Sequence, residues 1–449
     1  MQLVALFSLN VCFFTKQQIP LYCQKVKLVA TFSNMIIQRD NYLKRLIAAK
    51  GNRMIKIITG IRRCGKSFLL FELFHNHLNS EGVDDSHIIE IALDDRLNIE
   101  YRNPDKLLTY IKSRIVDKKQ HYVLLDEIQL VDDFVDVLNS LLHIRNVDTF
   151  VTGSNSRFLS KDIVTEFRGR GQDIHIYPLS FSEYYNTTQG DINNAWKEYY
   201  TFGGLPQTLL LKDYKEKIDY LRHLANTVYI NDVIERHRVK NRAELEELLS
   251  IIASSIGSPC NPTKLSNTFK SLKNITISNK TINNYLNHLC DAFMIERAIR
   301  YNIKGKKYIN TMSKYYFTDI GLRNAILDFR QIEQTHIMEN IIYNELLYRG
   351  YSVDIGMVEV TGHDKNGKFI RKQLEVDFVV NDADKRYYIQ SAFAIPDEEK
   401  MIQETASFRN IDDSFKKIII VKDDIMPYTD KNGFLHIGLF DFLLKQEAL

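Results

Sequence analysis

One octapeptide limits the folds open to this chain: Gly60-Ile61-Arg62-Arg63-Cys64-Gly65-Lys66-Ser67. It fits the pattern G-x-x-x-x-G-K-[ST]. There, backbone N–H groups cradle phosphate oxygens, the lysine reaches the terminal phosphates and the hydroxyl meets Mg²⁺. Such a loop works only between a strand and a helix. Met54-Ile55-Lys56-Ile57-Ile58-Thr59 before it reads as a short buried strand. Phe68-Leu69-Leu70-Phe71-Glu72-Leu73-Phe74 after it reads as an apolar helix start. An α/β core with a parallel sheet follows. Gly60, Ile61, Arg62, Arg63, Cys64, Gly65, Lys66, Ser67 and Phe68 are the candidate phosphate contacts.

A second strand, His87 to Leu93, is expected next, then a helix opened by Asn103-Pro104. His121-Tyr122-Val123-Leu124-Leu125-Asp126-Glu127 reads as a buried strand with two carboxylates at its C-terminal end. Ligands of open parallel sheets bind beyond those ends. Asp126 is therefore placed to hold Mg²⁺ opposite the Ser67 hydroxyl, and Glu127 to orient or deprotonate an attacking water. A further strand, Thr149 to Thr152, ends in Gly153-Ser154-Asn155, where Asn155 or Ser154 could meet the γ-phosphate or cap a helix. Arg170, in Phe167-Arg168-Gly169-Arg170-Gly171, is a candidate to neutralise transition-state charge, in cis or from a neighbouring copy.

These segments together resemble the AAA+ (ASCE-type) class of P-loop NTPases. The wording is narrower still. Met35-Ile36-Ile37-Gln38-Arg39, Asp126-Glu127-Ile128-Gln129, Pro178-Leu179-Ser180-Phe181-Ser182-Glu183-Tyr184, Gly203-Gly204-Leu205-Pro206 and Phe317-Thr318-Asp319-Ile320-Gly321-Leu322-Arg323 are similar to a large prokaryotic family. That family joins an AAA+ ATPase core, of the AAA_14 type, to a C-terminal region called DUF4143. The resemblance implies ATP as the nucleotide, Mg²⁺ as its cation, a core over 35–185 and a helical lid over 186–240. It leaves the biological role and any protein partner open, and a finger arginine acting in trans would require a homo-oligomer.

Residues 241–330 carry three amphipathic helix patterns and two strand-like pieces, Ile295 to Asn302 and Lys306 to Phe317, the order of a winged helix. Asn279, Lys280, Asn283 and Asn284 would face outward at the start of the third helix. Arg297, Arg300, Lys304, Lys306 and Lys307 would make the wing basic. Contact with DNA phosphates and use as a protein-packing module both fit. Residues 331–449 alternate helix and strand in an order that resembles restriction-endonuclease-like nucleases. Asp377 and Glu339 match acids of that metal site, but Gln390 and Ala392 stand where its second acid and lysine belong. An inactive nuclease-like domain is expected, with metal-dependent cleavage as the weaker alternative.

Composition adds exclusions. A net charge of +3 over 449 residues argues against a nucleic-acid-coating protein. Five scattered cysteines read as free thiols of a reducing cytoplasm. No apolar run is long enough to span a membrane. Met1 to Phe14 is apolar but lacks a basic start, so residues 1–34 are expected to precede the true start or to form a loosely attached leader.

Overall fold

Five strands build the sheet that the phosphate loop demands: β1 (Ile55–Thr59), β2 (Ile88–Ala92), β3 (His121–Asp126), β4 (Val147–Thr152) and β5 (Gly171–His175). All are parallel, in the order β2-β3-β4-β1-β5. The computed structural model describes residues 36–153, 169–273, 276–363 and 369–445. The expected leader, Ser154, Asn155 and Arg168 lie outside the described residues.

Every residue of β1 is buried, Lys56 included. That lysine is tolerated because its ammonium pairs with Asp148 of β4 and lies 5.0 Å from the centre of the Phe150 ring. β5 carries no apolar run, and sequence reading missed it. Backbone pairing along all of β1, from Ile55 with Gly171 to Thr59 with His175, holds it in place.

Around the sheet lie α1 (Asp40–Ala49), α2, α3 (Pro104–Arg114) and α4 (Phe134–Leu142). α2 starts at the loop as Lys66–Phe68, widens into a π-helical stretch over Leu69–Phe74, and closes as His75–Ser80. The Asn103 side chain accepts the Lys106 N–H and caps α3 as expected.

The next segment is helical: α5 (Phe181–Thr188), α6 (Ile192–Phe202), α7 (Pro206–Leu210) and α8 (Tyr214–His223), which runs through a π-helical Leu224–Tyr229 into α9 (Ile230–His237). Ser180 and Glu183 form a reciprocal capping box that starts α5. Gly203 is required by its surroundings. Its φ is +74°, and a Cβ there would lie 2.3 Å from Asp319 Oδ1.

Three helices follow, α10 (Arg242–Ser254), α11 (Pro262–Lys273) and α12 (Asn279–Asp291), then a hairpin of β6 (Ile295–Asn302) and β7 (Lys307–Phe317). The elements occur in the expected order, with one correction: the hairpin is not a free wing. β6 runs parallel to β8 (Ser352–His363), so the hairpin is the edge of an eight-stranded sheet. That sheet continues through β9 (Phe369–Asp382), β10 (Lys385–Ala392), β11 (Lys416–Val421), β12 (Tyr428–Thr429) and β13 (Leu435–Gly438), ordered β12-β13-β11-β10-β9-β8-β6-β7. α13 (Ile320–Ile326) and α14 (Gln334–Tyr348) precede β8, α15 (Glu398–Glu404) follows β10, and α16 (Leu439–Leu444) follows β13. Arg39–Leu449 form one compact unit. One apolar cluster runs through it from Tyr42 and Phe74 past Phe181 and Trp196 to Ile341 and Phe440.

Candidate nucleotide site

The loop between β1 and α2 has the backbone its glycines permit. Gly60 adopts φ +144°, where a Cβ would fall 2.2 Å from the Ile176 carbonyl oxygen, and Gly65 adopts φ +97° at the start of α2. Lys66 is buried, and its ammonium donates to the carbonyls of Gly60 (3.0 Å) and Ile61 (3.1 Å). Ile61 and Cys64 point inward and are fully buried, which anchors the loop to the core. Phe68 is partly exposed.

Four contacts brace the loop from outside the ATPase sheet's own turns. Arg39 donates to the Cys64 carbonyl at 3.3 Å, and the Tyr229 hydroxyl donates to the Arg62 carbonyl at 2.6 Å. Arg62 pairs with Asp232 of α9 at 2.9 Å, and the Arg63 guanidinium lies 5.9 Å from the Tyr220 ring centre. The loop is thus tied to α9 by charge and to the π-helical stretch before it by a hydrogen bond to its backbone.

At the far side of the cradle, Ser67 Oγ donates to Asp126 Oδ2 at 2.7 Å. The other oxygen of Asp126 accepts the Thr152 hydroxyl, and that same hydroxyl oxygen accepts the Glu127 N–H at 3.0 Å. Thr152 therefore fixes the carboxylate of one acid and the backbone of the next. Glu127 holds a left-handed φ of +53°, costly for a residue with a side chain and common at functional sites. Its carboxylate accepts the Gln129 side-chain amide. Burial pushes the Asp126 pKa up; the Thr152 and Ser67 hydrogen bonds oppose this, and the charges of Glu127 and Asp94 add to it. A buried carboxylate beside two others and a serine hydroxyl is a donor set that suits Mg²⁺.

Arg170 stands elsewhere. Its carbonyl accepts the Ile55 N–H at 2.9 Å, at the N-terminal end of β1, whereas the loop leaves the C-terminal end. This corrects the reading of Arg170 as a finger for its own chain, because a five-residue strand of roughly 16 Å separates it from the loop. Thr152, Asp232 and Arg236 were not singled out in the sequence, and Tyr229 reads there as a core aromatic rather than a site residue. Arg236 pairs with Asp232 at 2.6 Å; burial lowers its pKa, Asp232 and more weakly Glu127 raise it, and Arg62 lowers it further. An Asp–Arg pair four residues apart reads in sequence as an ordinary helix-surface pair, so no signal marked it.

The expected basic surface is partly present. Asn279, Lys280, Asn283, Asn284, Arg297, Lys304, Lys306 and Lys307 are exposed, but Arg300 is buried and cannot reach a phosphate. In the C-terminal sheet, a β-bulge leaves Asp377 and Phe378 opposite Ile355 alone. Asp377 is buried and accepts the Ser391 N–H at 2.8 Å. Sequence reading found no lysine for this cluster, yet one is there. Lys314 of β7 pairs with Glu339 at 3.0 Å and with Glu375 at 2.7 Å.

A glycine loop whose serine bonds an aspartate on β3, with β4 between that strand and β1, defines a P-loop nucleoside-triphosphate-binding protein. Residues 52–185 match the family described as AAA domain, and residues 193–333 match a domain of unknown function, DUF8612. The matched second region is thus DUF8612, where the sequence resemblance implied DUF4143. An uncharacterized protein of Haemophilus influenzae is 33% identical over 422 residues, covering 92% of this chain and 100% of the relative. An uncharacterized protein of Methanocaldococcus jannaschii is 30% identical over 422 residues, covering 90% of this chain and 88% of the relative. The chain belongs to the family of these two proteins and carries an AAA-type, nucleotide-binding ATPase core. A Walker-type ATPase of Pyrococcus abyssi aligns at 14% identity over 65% of this chain and 96% of its own, with a TM-score of 0.47.

Proposed function

We propose that the chain hydrolyses ATP with Mg²⁺ and couples the nucleotide state to its C-terminal region. The observation that carries this reading is the Ser67–Asp126 hydrogen bond, which joins the loop to the acidic end of β3. Backbone N–H groups from Gly60 to Phe68 wrap the phosphates, and Lys66 neutralises the β- and γ-oxygens. Ser67 and Asp126 hold the cation, which supplies charge neutralisation on the phosphates. Glu127 takes the proton of the attacking water, and Thr152 keeps both acids in register. Asn155 or Ser154, which lie outside the described residues, remain the candidates from the sequence for a further γ-phosphate contact. Arg236 pairs with Asp232, which also holds Arg62 of the loop, and on this reading α9 is the lid element that registers nucleotide.

Lys66→Ala should abolish nucleotide binding. Thermal melting of wild type should rise with MgATP, while the variant's melting temperature stays flat; an equal rise in both would reject the loop as the binding site. For Arg170 we keep delivery to a neighbouring copy. Specific activity should then climb with protein concentration and fall in Arg170→Ala, and concentration-independent turnover equal in both proteins would remove it from the site.

A second reading, a nucleotide-switched DNA- or protein-binding module with little turnover, is favoured by the Arg62–Asp232 pair, since α9 links the loop to the helices that follow. The exposed Asn279, Lys280, Lys304, Lys306 and Lys307 would meet DNA phosphates. A titration against duplex DNA at rising salt checks it: binding that weakens with salt and depends on ATP supports the switch, and salt-independent or absent binding rejects DNA as the partner. For the C-terminal sheet we propose a nuclease-like domain without nuclease activity, because Gln390 and Ala392 supply neither charge. Among the described residues no helix is long and apolar enough to cross a membrane; a cytoplasmic location is part of this proposal.

A further inference from the structure

Three of the sequence motifs outside the phosphate loop, within residues 178–184, 203–206 and 317–323, meet at one joint. The Leu179 N–H donates to the Gly204 carbonyl at 2.8 Å, and the Gly204 N–H donates to Asp319 Oδ2 at 2.7 Å. Glycines make the approach possible. A Cβ on Gly204 would lie 2.3 Å from the Leu179 carbonyl oxygen, and one on Gly321 would lie 2.1 Å from that of Phe202.

Asp319 is 2% exposed and pairs with no cation among the described residues. Part of its work is ordinary: Oδ1 accepts the Leu322 N–H at 2.9 Å and caps α13. The carboxylate also accepts from Gly321 and, on the lid side, from Gly204 and Leu205. A cap does not explain the lid bonds, since Gly204 stands 115 residues away in the chain. Further along α13, Asn324 donates to the Tyr200 and Thr201 carbonyls at 2.9 Å each, which holds the C-terminal end of α6. The turn held in this way reaches the phosphate loop. Pro206 Cγ lies 3.7 Å from where a Cβ on Gly65 would stand.

We propose that Asp319 is a positioning residue for nucleotide: by holding the Gly204 and Leu205 N–H groups it seats Pro206 against Gly65, and so ties the loop's grip on phosphate to the end of β7. This role rests on the loop being the nucleotide site. The charge of Asp319 offers a readout. Burial pushes its carboxyl up to about 6, against the hydrogen bonds from Leu322, Gly204, Gly321 and Leu205. Tyr199 of α6, Tyr220 of α8 and Tyr229 face it with phenols that burial keeps neutral. Glu345 of α14, held by Arg349, lines the same small cavity, and Arg323 of α13 turns to the Ala253 carbonyl. Acid therefore removes the charge on which four N–H groups converge.

MgADP, which hydrolysis does not consume, is the probe for the full-length protein. Asp319→Asn keeps an oxygen to cap α13 but sets an amide NH₂ against the Gly204 N–H. At pH 7.5 it should bind MgADP about three- to thirtyfold more weakly than wild type. The ratio should shrink towards one by pH 5, because the wild type loses the same charge; titration of the nucleotide is common to both proteins and cancels. Stability, read by thermal melting, should move the other way. A carboxyl whose folded pKa is raised binds its proton more tightly folded, so wild type gains on Asp319→Asn as pH falls, and a merely capping residue would show that change alone. Asp319→Ser, also a good cap, replaces the Asn variant if that does not fold. Equal MgADP affinities for wild type and a folded variant at pH 7.5, or a ratio that stays constant to pH 5, overturn the proposal. MgADP binding that survives Lys66→Ala would instead unseat the loop itself, whatever Asp319 does.

Discussion

Glu127→Gln is expected to hold ATP at close to wild-type affinity and to lose about 10²–10⁴-fold in the rate of phosphate release, the usual worth of a positioned general base. The substitution is nearly isosteric. It leaves the residue 127 N–H on Thr152 and keeps an oxygen that can accept from Gln129. What it removes is the ability to take a proton, together with the negative charge that acts on Arg236. Single-turnover hydrolysis and nucleotide titration separate the two effects: an unchanged dissociation constant with a collapsed rate assigns the base, and a wild-type rate moves that role elsewhere. The contrast with Lys66→Ala is the control, since that variant should fail at binding. Thr152→Val should fall between the two, because it removes the hydroxyl that bonds Asp126 and accepts the Glu127 N–H.

What the sequence made readable was the part of the site that is contiguous. Gly60 to Ser67 is one turn of chain, and Asp126-Glu127 ends one strand, so local pattern was enough. Strands with an apolar run, such as β3 and β11, were equally plain. β5 was not, because its stability comes from pairing along β1 and from contacts such as Thr59 Oγ1 to Asp173 Oδ1 at 2.9 Å, neither of which leaves a hydrophobic run. The contacts of Tyr229 and Asp232 with Arg62 join residues about 170 positions apart, and no periodicity reports a contact at that separation. The hairpin of β6 and β7 shows the opposite difficulty. Its strands were legible, but its membership of the C-terminal sheet depends on β8, some fifty residues later, and that pairing decides which basic residues face solvent. Arg300 pairs with Ile355 in the β6–β8 register and is buried, so it leaves the basic surface.

The same misplaced hairpin accounts for Lys314, whose removal should be among the most destabilising single changes in the protein. The residue is 3% exposed, and its ammonium touches Glu339 at 3.0 Å and Glu375 at 2.7 Å, with Asp377 close behind. Burial alone would lower its pKa, but the three carboxylates outweigh it and hold the ammonium charged far above neutral pH. Tyr316 donates a further hydrogen bond to Glu339 at 2.7 Å. Asp377 responds the other way: burial first, then the charge of Glu339, drive its pKa well up, and Lys314 opposes them. Lys314→Met keeps the length of the side chain and deletes its charge, leaving acids in a low-dielectric interior without their counter-ion. Breaking a buried pair by removing one partner costs roughly 3–5 kcal/mol, to be read as a loss in urea unfolding free energy at pH 7. The loss should shrink as pH falls and Asp377 is protonated in the folded state, because a carboxyl whose folded pKa is raised binds its proton more tightly folded than unfolded. A second substitution separates charge from packing. Lys314→Met/Glu339→Gln should recover much of the loss, since it removes one of the two acids paired with Lys314, and no recovery would mean that the lysine acts through its packing alone. The nuclease-like reading depends on the same contact. In the wild type an ammonium from β7 already neutralises Glu339 and Glu375, so DNA incubated with Mg²⁺ or Mn²⁺ should stay intact; cleavage that disappears in Asp377→Ala would reverse that reading.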